Sequence, residues 1–487
     1  MNQSLSRNLQ ENLTHLQNMF GSSIDLYTKP IQVMGVSCCI CMFEGLSSLD
    51  QLWIILMSKL NQNNLQNMDA QAVFEYIQKR TDLPVEKTCV QNFDQLRSML
   101  TAGMAVLLFD GSNQGLAFSS QKMYFRSIQE PSGEGDVRGS REGFSDLLRI
   151  NISQVRRLVR TETLTVKTIV LGERTQTEVA ILYDRALVNP ELAAKIERQL
   201  KKVRIPVLFD TSYLVPFLNQ DGFHFFSGVG YTERPVTASA KICEGKMVIM
   251  VNGSPFAMIL PFFFSENFQS LDDYSSKAYF ASLIRVLKYI AFFVAVILPG
   301  AFVSIVGYTP ELLPPQLLHK VASAEAATPL PLFLEMVLVI ILLEIIREAG
   351  LRLPKPVGHT VGLVAALIVG DTAVKTGILS TPVVIVSAIT TVSMMVIPSL
   401  YEPGTVLRIL FVAVGGIFGP FGILVLAFGM LVSICEMDPF EIPYTSPLMP
   451  VGPGILRDGI LRFPWMKLAK HPFTVKDLSE GASSNEE

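Results

Sequence analysis

Charge and histidine are scarce in this chain. Lys, Arg, Asp and Glu make up 17% of its 487 residues against 49% hydrophobic residues, and the mean hydropathy is positive, so part of the chain is expected in a membrane. The few charges nearly cancel, to a net −3, so nothing calls for nucleic acid. There are five His, none grouped with Cys at ligand spacing; this argues against a metal site, and no cofactor is implied. Of six Cys, Cys38, Cys39 and Cys41 sit inside the apolar run Val36 to Phe43, where reduced thiols act as small buried hydrophobes. The first residues, MNQSLSRNLQENLTHLQ, lack the apolar core and cleavage site of a signal peptide, so the front half is expected to stay in the cytoplasm.

Catalytic patterns are missing too. Gly133 to Gly143 is glycine-rich, but no Gly-Lys-Ser/Thr follows it, which argues against a nucleotide-binding loop. Gly370-Asp371 lies in an apolar segment without the second membrane aspartate that an intramembrane aspartyl protease uses. Asn151-Ile152-Ser153 has glycosylation spacing, which has no meaning in a cytoplasmic domain. No catalytic residue is assigned, and the chain is not expected to be an enzyme.

What is present divides into a front half that mixes charged and apolar positions and a back half with long apolar runs from about residue 289 to 435. The expected fold is an α/β N-terminal cytoplasmic region of two small modules, residues 1–125 and 126–280, followed by an α-helical polytopic membrane domain, 281–436, and a cytoplasmic tail, 437–487. In the first module Ile31 to Phe43 reads as one long strand, Ser48 to Leu60 as a helix and Ala105 to Asp110 as a buried strand. A charged, glycine-rich linker, Gln129 to Gly139, follows. The second module has strands at Thr163 to Leu171 and Glu178 to Tyr183 and a helix from Pro190, a residue suited to a first turn, to Val203. Lys246 to Pro261 reads as a hairpin about a type I′ turn at Asn252-Gly253. Phe262, Phe263, Phe264 and Phe268 are expected to rest at the membrane surface as an aromatic belt.

Spans are expected at Tyr289 to Val306, Leu330 to Ile346, Val357 to Ala373 and Pro382 to Leu400, with a fifth apolar stretch from Ile409 to Cys435. Arg285, Lys288, Arg347, Arg352, Lys355 and Arg408 fall on one side by parity, while the intervening loops carry only Lys320 and Lys375. That asymmetry puts the N-terminal domain inside. The basic tail belongs there too, so the crossings must be even in number and the 27-residue last stretch, interrupted at Gly415-Gly416 and Gly419-Pro420, is expected to turn back.

Ionisable residues inside apolar helices cost roughly 2.5 to 3.5 kcal/mol each on insertion scales and are kept for a reason. Glu344, Arg347 and Glu348 share one side of a helix, and Glu335 lies about half a turn away. Two roles stay open for the first three, an ion-pair network or ion coordination; for Glu335, a snorkelling carboxylate or a pore mouth. In the next segment Gly358, Gly362, Ala366 and Gly370 form a small-residue face suited to close helix packing. Val357, Thr360, Val364, Ile368 and Asp371 take the opposite face. Arg138, Arg141, Glu142, Arg156 and Arg157 are read as subunit or module contacts, with solvated charge as the alternative.

Several motifs in order point one way. They are Arg138-Gly139-Ser140-Arg141-Glu142-Gly143-Phe144, Asn151-Ile152-Ser153 with Arg156-Arg157, Thr232-Glu233-Arg234-Pro235, Glu244-Gly245-Lys246, Val251 to Pro255, Asp272-Asp273-Tyr274, Leu312-Leu313-Pro314, Glu344 through Pro354, and Gly358 to Val374. With them the chain resembles the A subunit of bacterial spore germinant receptors, the GerA/SpoVAF type family. It departs from the family's usual residues at Ser140, Val236, Lys246, Asn252 and Ser275, as a divergent member would, which leaves its branch open. The resemblance implies a spore inner membrane protein that assembles as a homo-oligomeric ring, a nutrient-gated channel for monovalent cations. It also implies a transporter-like B subunit that senses the nutrient and a lipoprotein C subunit, or the corresponding partners of the SpoVAF branch. On that reading Val361, Val364 and Ile368, with Thr360 beside them, form an apolar gate that closes by dewetting, and Glu344, Glu348 and Asp371 supply negative charge at its mouths. A non-conducting scaffold that relays nutrient binding is the alternative, as is a secondary transporter, for which the chain lacks an inverted repeat.

Overall fold

The computed structural model describes residues 3–47, 69–79, 86–119, 139–218, 224–353, 368–448 and 458–468, with Pro131, Glu134, Gly135, Gly362 and Val475. The first module runs α1 (Leu9–Met19), β1 (Leu26–Val33), β2 (Val36–Phe43), α2 (Ala70–Lys79), β3 (Lys87–Val90), α3 (Phe93–Thr101), β4 (Ala105–Phe109) and β5 (Gly115–Phe118). Its strands form one antiparallel sheet in the order β1-β2-β4-β5-β3. β2 reads VSCCICMF, without alternation, because both of its faces are covered. Cys38, Ile40 and Met42 pack with Val73, Phe74 and Ile77 of α2. Cys39, Cys41 and Phe43 pack with Leu16 of α1 and Leu96 and Leu100 of α3. The run Ile31 to Phe43, expected as one strand, is two: Met34 and Gly35 both take positive φ, 50° and 84°, and turn β1 back on β2. Met is not a turn-favouring residue, so composition hides this turn. The helix expected over Ser48 to Leu60 lies outside the described residues.

The second module repeats the scheme with α4 (Leu148–Leu158), β6 (Leu164–Leu171), β7 (Thr177–Asp184), α5 (Pro190–Lys202), β8 (Gly230–Thr232), α6 (Pro235–Cys243), β9 (Met247–Val251) and β10 (Ala257–Leu260). The antiparallel order is β6-β7-β9-β10-β8, with α5 on one face and α4 and α6 on the other. α5 begins where expected, Pro190 following an Asn189 side chain that accepts the Glu191 N–H at 2.9 Å. The β9–β10 hairpin forms, but not through a type I′ turn. Only Gly253 has positive φ, and the loop is longer because Asn252 is held elsewhere. Its side chain accepts the Leu148 N–H at the start of α4, and its own N–H donates to the Glu178 carbonyl at 2.9 Å.

The back half contains α7 (Ala278–Tyr308), α8 (Pro315–Glu325), α9 (Leu332–Arg352), a π-helical turn at Ile368–Thr372, α10 (Thr381–Met395) and α11 (Tyr401–Glu436). Among the described residues two helices, α7 and the one ending at Glu436, are long and apolar enough to cross a membrane. α11 is not straight: at Gly419 the backbone takes φ 65° and ψ −154°, and the chain reverses. A Cβ on Gly415 would lie 2.8 Å from Ile423, and one on Gly422 would lie 2.7 Å from Val414; residues eight apart in a straight helix are about 12 Å apart. Each arm, residues 401–418 and 420–436, is about 26 Å long, close to the roughly 30 Å hydrocarbon thickness. The tip meets the end of α7, where the Tyr308 hydroxyl donates to the Gly416 and Ile417 carbonyls at 2.9 and 2.7 Å. The first arm packs tightly on α7, Gly300 against the Phe411 backbone and Gly415 against the Gly300 carbonyl, as small residues allow.

Both ends of this hairpin face the soluble modules. After Glu436 the chain returns to them, and Phe440 and Ile442 enter the core beside α5 and β9. That return overturns the aromatic belt expected of Phe262 to Phe268. Phe263 lies in the core of the second module. Phe264 and Phe268 pack with Phe292 of α7 and Tyr444 of the returning chain, and Phe268 stacks on Tyr289 at 3.8 Å.

Candidate functional site

α9 runs Leu332–Arg352 with three glutamates, and the structure gives each a different neighbour. Glu344 is a hub. One carboxylate oxygen accepts from Arg408 Nη2 at 2.7 Å, the Tyr401 hydroxyl at 2.7 Å and Thr405 at 3.4 Å; the other accepts from Arg347 at 3.1 Å. The Arg347 guanidinium lies 4.0 Å over the Tyr401 ring. One carboxylate thus joins α9 to the first arm of α11. Arg408 is 1% exposed, and its Nε has no partner among the described residues, so Glu344 is its counter-charge. The geometry of Glu344 and Arg347 is that of an ion-pair network.

Glu335, one turn into α9, is fully buried and so does not snorkel. Its carboxylate accepts the Ser380 N–H immediately before α10, a position where the helix dipole favours an anion. Glu348 pairs with Arg352 at 2.6 Å and Asp371 with Lys375 at 2.8 Å. Gly362 and Gly370 are exposed, and a Cβ on either would meet nothing within 4 Å among the described residues. Ile368 opens the π-helical turn. Gly358, Thr360, Val361, Val364 and Ala366 lie outside the described residues.

Between these helices and the modules lies a second buried charge cluster. Lys246, at the start of β9, is fully buried, and its Nζ donates to Glu266, which also accepts from Lys241 at 2.6 Å and from the Phe263 N–H at 2.8 Å. Burial, against the pull of Glu266, lowers the Lys246 ammonium to about 8. Burial works against ionising Glu266, but Lys241 and Lys246 outweigh it and hold its carboxyl down at about 2. A carboxylate whose folded pKa lies below its ordinary 4.5 stabilises the fold fully above that value and stops doing so as pH falls toward 2. Thermal melts of the detergent-solubilised chain should therefore drop steeply over that window, and Glu266→Gln should flatten the drop; an equally steep fall in both would remove this cluster from the acid response.

At the root of α7, Arg285 is also fully buried. It donates to Asp273 at 2.6 Å and to Asp458 at 2.8 Å, and the Tyr274 hydroxyl donates to Asp458 at 2.7 Å. The tail thus shares a charge with the first membrane helix. Farther up, the modules are joined by Arg156, which grips Asp25 through two bonds of 2.8 and 2.9 Å and lies 4.6 Å over the Phe43 ring. Of the arginine group, Arg156 is a contact between modules, Arg157 pairs with Glu142 inside the second one, Arg141 is exposed and Arg138 lies outside the described residues. Sequence reasoning missed Arg408, Arg285, Glu266, Lys241 and Asp25 as site residues. Arg285 and Arg408 had a signal, a charge at the edge of an apolar run, but it served only to orient the spans. Among the described residues no three His, Cys, Asp or Glu gather as a metal site would require.

The family described as Bacillus/Clostridium GerA spore germination protein matches residues 14–474. Spore germination protein KA of Bacillus subtilis (strain 168) is 31% identical over 477 residues, covering 97% of this chain and 87% of the relative. The uncharacterized membrane protein YfkQ of the same organism is 34% identical over 385 residues, 79% of this chain and 75% of its own. The crystal structure of the N-terminal domain of the A subunit of the Bacillus megaterium spore germinant receptor GerK3 overlaps 54% of this chain and 98% of its own, at 23% identity and a TM-score of 0.42. With a family match over nearly its whole length and a relative of that coverage, the chain belongs to the GerA family of spore germination proteins.

Proposed function

We propose that this chain is the A-type subunit of a germinant receptor in the spore inner membrane, with its soluble modules on the core side, and that it forms a ring that releases monovalent cations when nutrient is sensed. Its partners on this reading are a transporter-like B subunit and a lipoprotein C subunit. The observation that supports the reading is at Gly362 and Gly370, where an added Cβ would meet nothing within 4 Å among the described residues, which suits close contact with a second copy. The segment they belong to would then present Thr360, Val361, Val364 and Ile368 to a shared axis. The first test expresses the complex in vegetative cells and follows membrane potential on adding germinant. Val364→Ala should widen the constriction, so that the cells leak or respond sooner; a variant that does neither removes the gate from this helix.

The non-conducting scaffold has its own support. Glu344, Glu348 and Asp371 each have a basic partner within the chain, so none is a bare acidic ring residue of the kind that selects cations. On that reading these charges hold the helices in place and another protein conducts.

A further inference from the structure

Phe263, Phe264 and Phe268 are buried and cannot form the aromatic belt expected of them, but other large apolar side chains are exposed near the start of α7. α7 has 31 residues and is therefore about 46 Å long, against roughly 40–45 Å for a bilayer with both headgroup layers. Its far end is Tyr308, so if the helix crosses the bilayer its first two turns would fall in the headgroup layer nearest the soluble modules. There Tyr279 is 74% exposed, and Phe280 and Leu283 are at least half exposed. The returning tail adds Trp465 at 58% and Met466 at 83% exposure, with Leu461 beside them. The tail is fixed at this level by several bonds. The Arg462 N–H donates to Ser282 of α7 at 3.0 Å, the Trp465 indole donates to the Tyr274 carbonyl at 3.3 Å, and the Arg462 guanidinium lies 5.4 Å from the Trp465 ring.

We propose that Leu461, Trp465 and Met466 of the tail, together with Tyr279, Phe280 and Leu283 of α7, form a foot that seats in the headgroup layer of the lipid bilayer. The occupant is lipid because the patch continues the membrane-crossing surface of α7 and combines large apolar side chains with aromatics that have polar ends, the composition of that layer. Through Asp458 the same strap grips Arg285, so the foot ties the tail to both the bilayer and the root of α7. The inference requires a bilayer around the chain and is independent of conduction.

The chain has two Trp, Trp53 and Trp465, which makes the test direct. Full-length Trp53→Phe protein is reconstituted into phosphatidylcholine vesicles with and without lipid brominated high on the acyl chain, and Trp465 emission is recorded with aqueous iodide as the opposing quencher. Bromolipid is expected to remove most of the emission and iodide little of it. Strong iodide quenching without bromolipid quenching overturns the proposal, leaving a foot in water. Insensitivity to both overturns it as well, leaving a foot covered by protein. If Trp53→Phe does not fold, the difference between wild type and Trp465→Phe gives the same readout.

Discussion

Glu344→Gln is expected to destabilise the membrane half by about 3–5 kcal/mol, the cost of leaving one partner of a buried ion pair without the other. The substitution strands Arg408, 1% exposed, whose remaining hydrogen bond among the described residues is a 3.5 Å approach to Thr391. Arg408→Leu should cost less, because Glu344 keeps Arg347 at 3.1 Å and the leucine fills an apolar site. The double variant Glu344→Gln/Arg408→Leu should recover much of the loss, a coupling that additive effects would exclude. Thermal unfolding of the four proteins in one detergent measures it. Equal and additive losses would mean that the hub is two unrelated contacts.

The second large effect belongs to the junction of the modules. Arg156→Ala leaves Asp25, itself 3% exposed, with its bond from Ser23 at 2.6 Å but without a counter-charge, and empties the space over Phe43. The expected loss is again about 3–5 kcal/mol, and calorimetry should resolve separate transitions for the two modules where the wild type gives one. Arg156→Lys should restore only part of it, since an ammonium cannot reproduce the paired bonds of a guanidinium. A single transition at the wild-type midpoint for Arg156→Ala would show that the modules are held together by other contacts.

What the sequence revealed and what it hid follow from the range of the interactions involved. Pro190 after Asn189, the uniform apolarity of β2 and the glycines at 415–422 are local signals, and each marks a feature that forms. The reversal at Gly419 was also expected from charge parity, a property of the whole chain that needs no contact map. The Phe262 to Phe268 run misled because a cluster of aromatics before a span looks the same whether it meets lipid or core. What decides is Tyr444, which comes back to it across nearly 180 residues. Arg408 was hidden for the same reason: its burial depends on Glu344, on another helix 64 positions away. The Met34-Gly35 turn was hidden locally, by a residue that carries no turn preference.

Whether the chain conducts is read most directly from the reversal potential of the purified chain, with its receptor partners, in planar bilayers under a KCl gradient. A cation-conducting ring predicts a potential near the cation limit and a larger open conductance for Val364→Ala, with Glu344→Gln changing stability more than selectivity. Absence of conductance from an intact, nutrient-responsive complex, or a conductance that Val364→Ala leaves untouched, would contradict it and leave the chain as a relay to another pore.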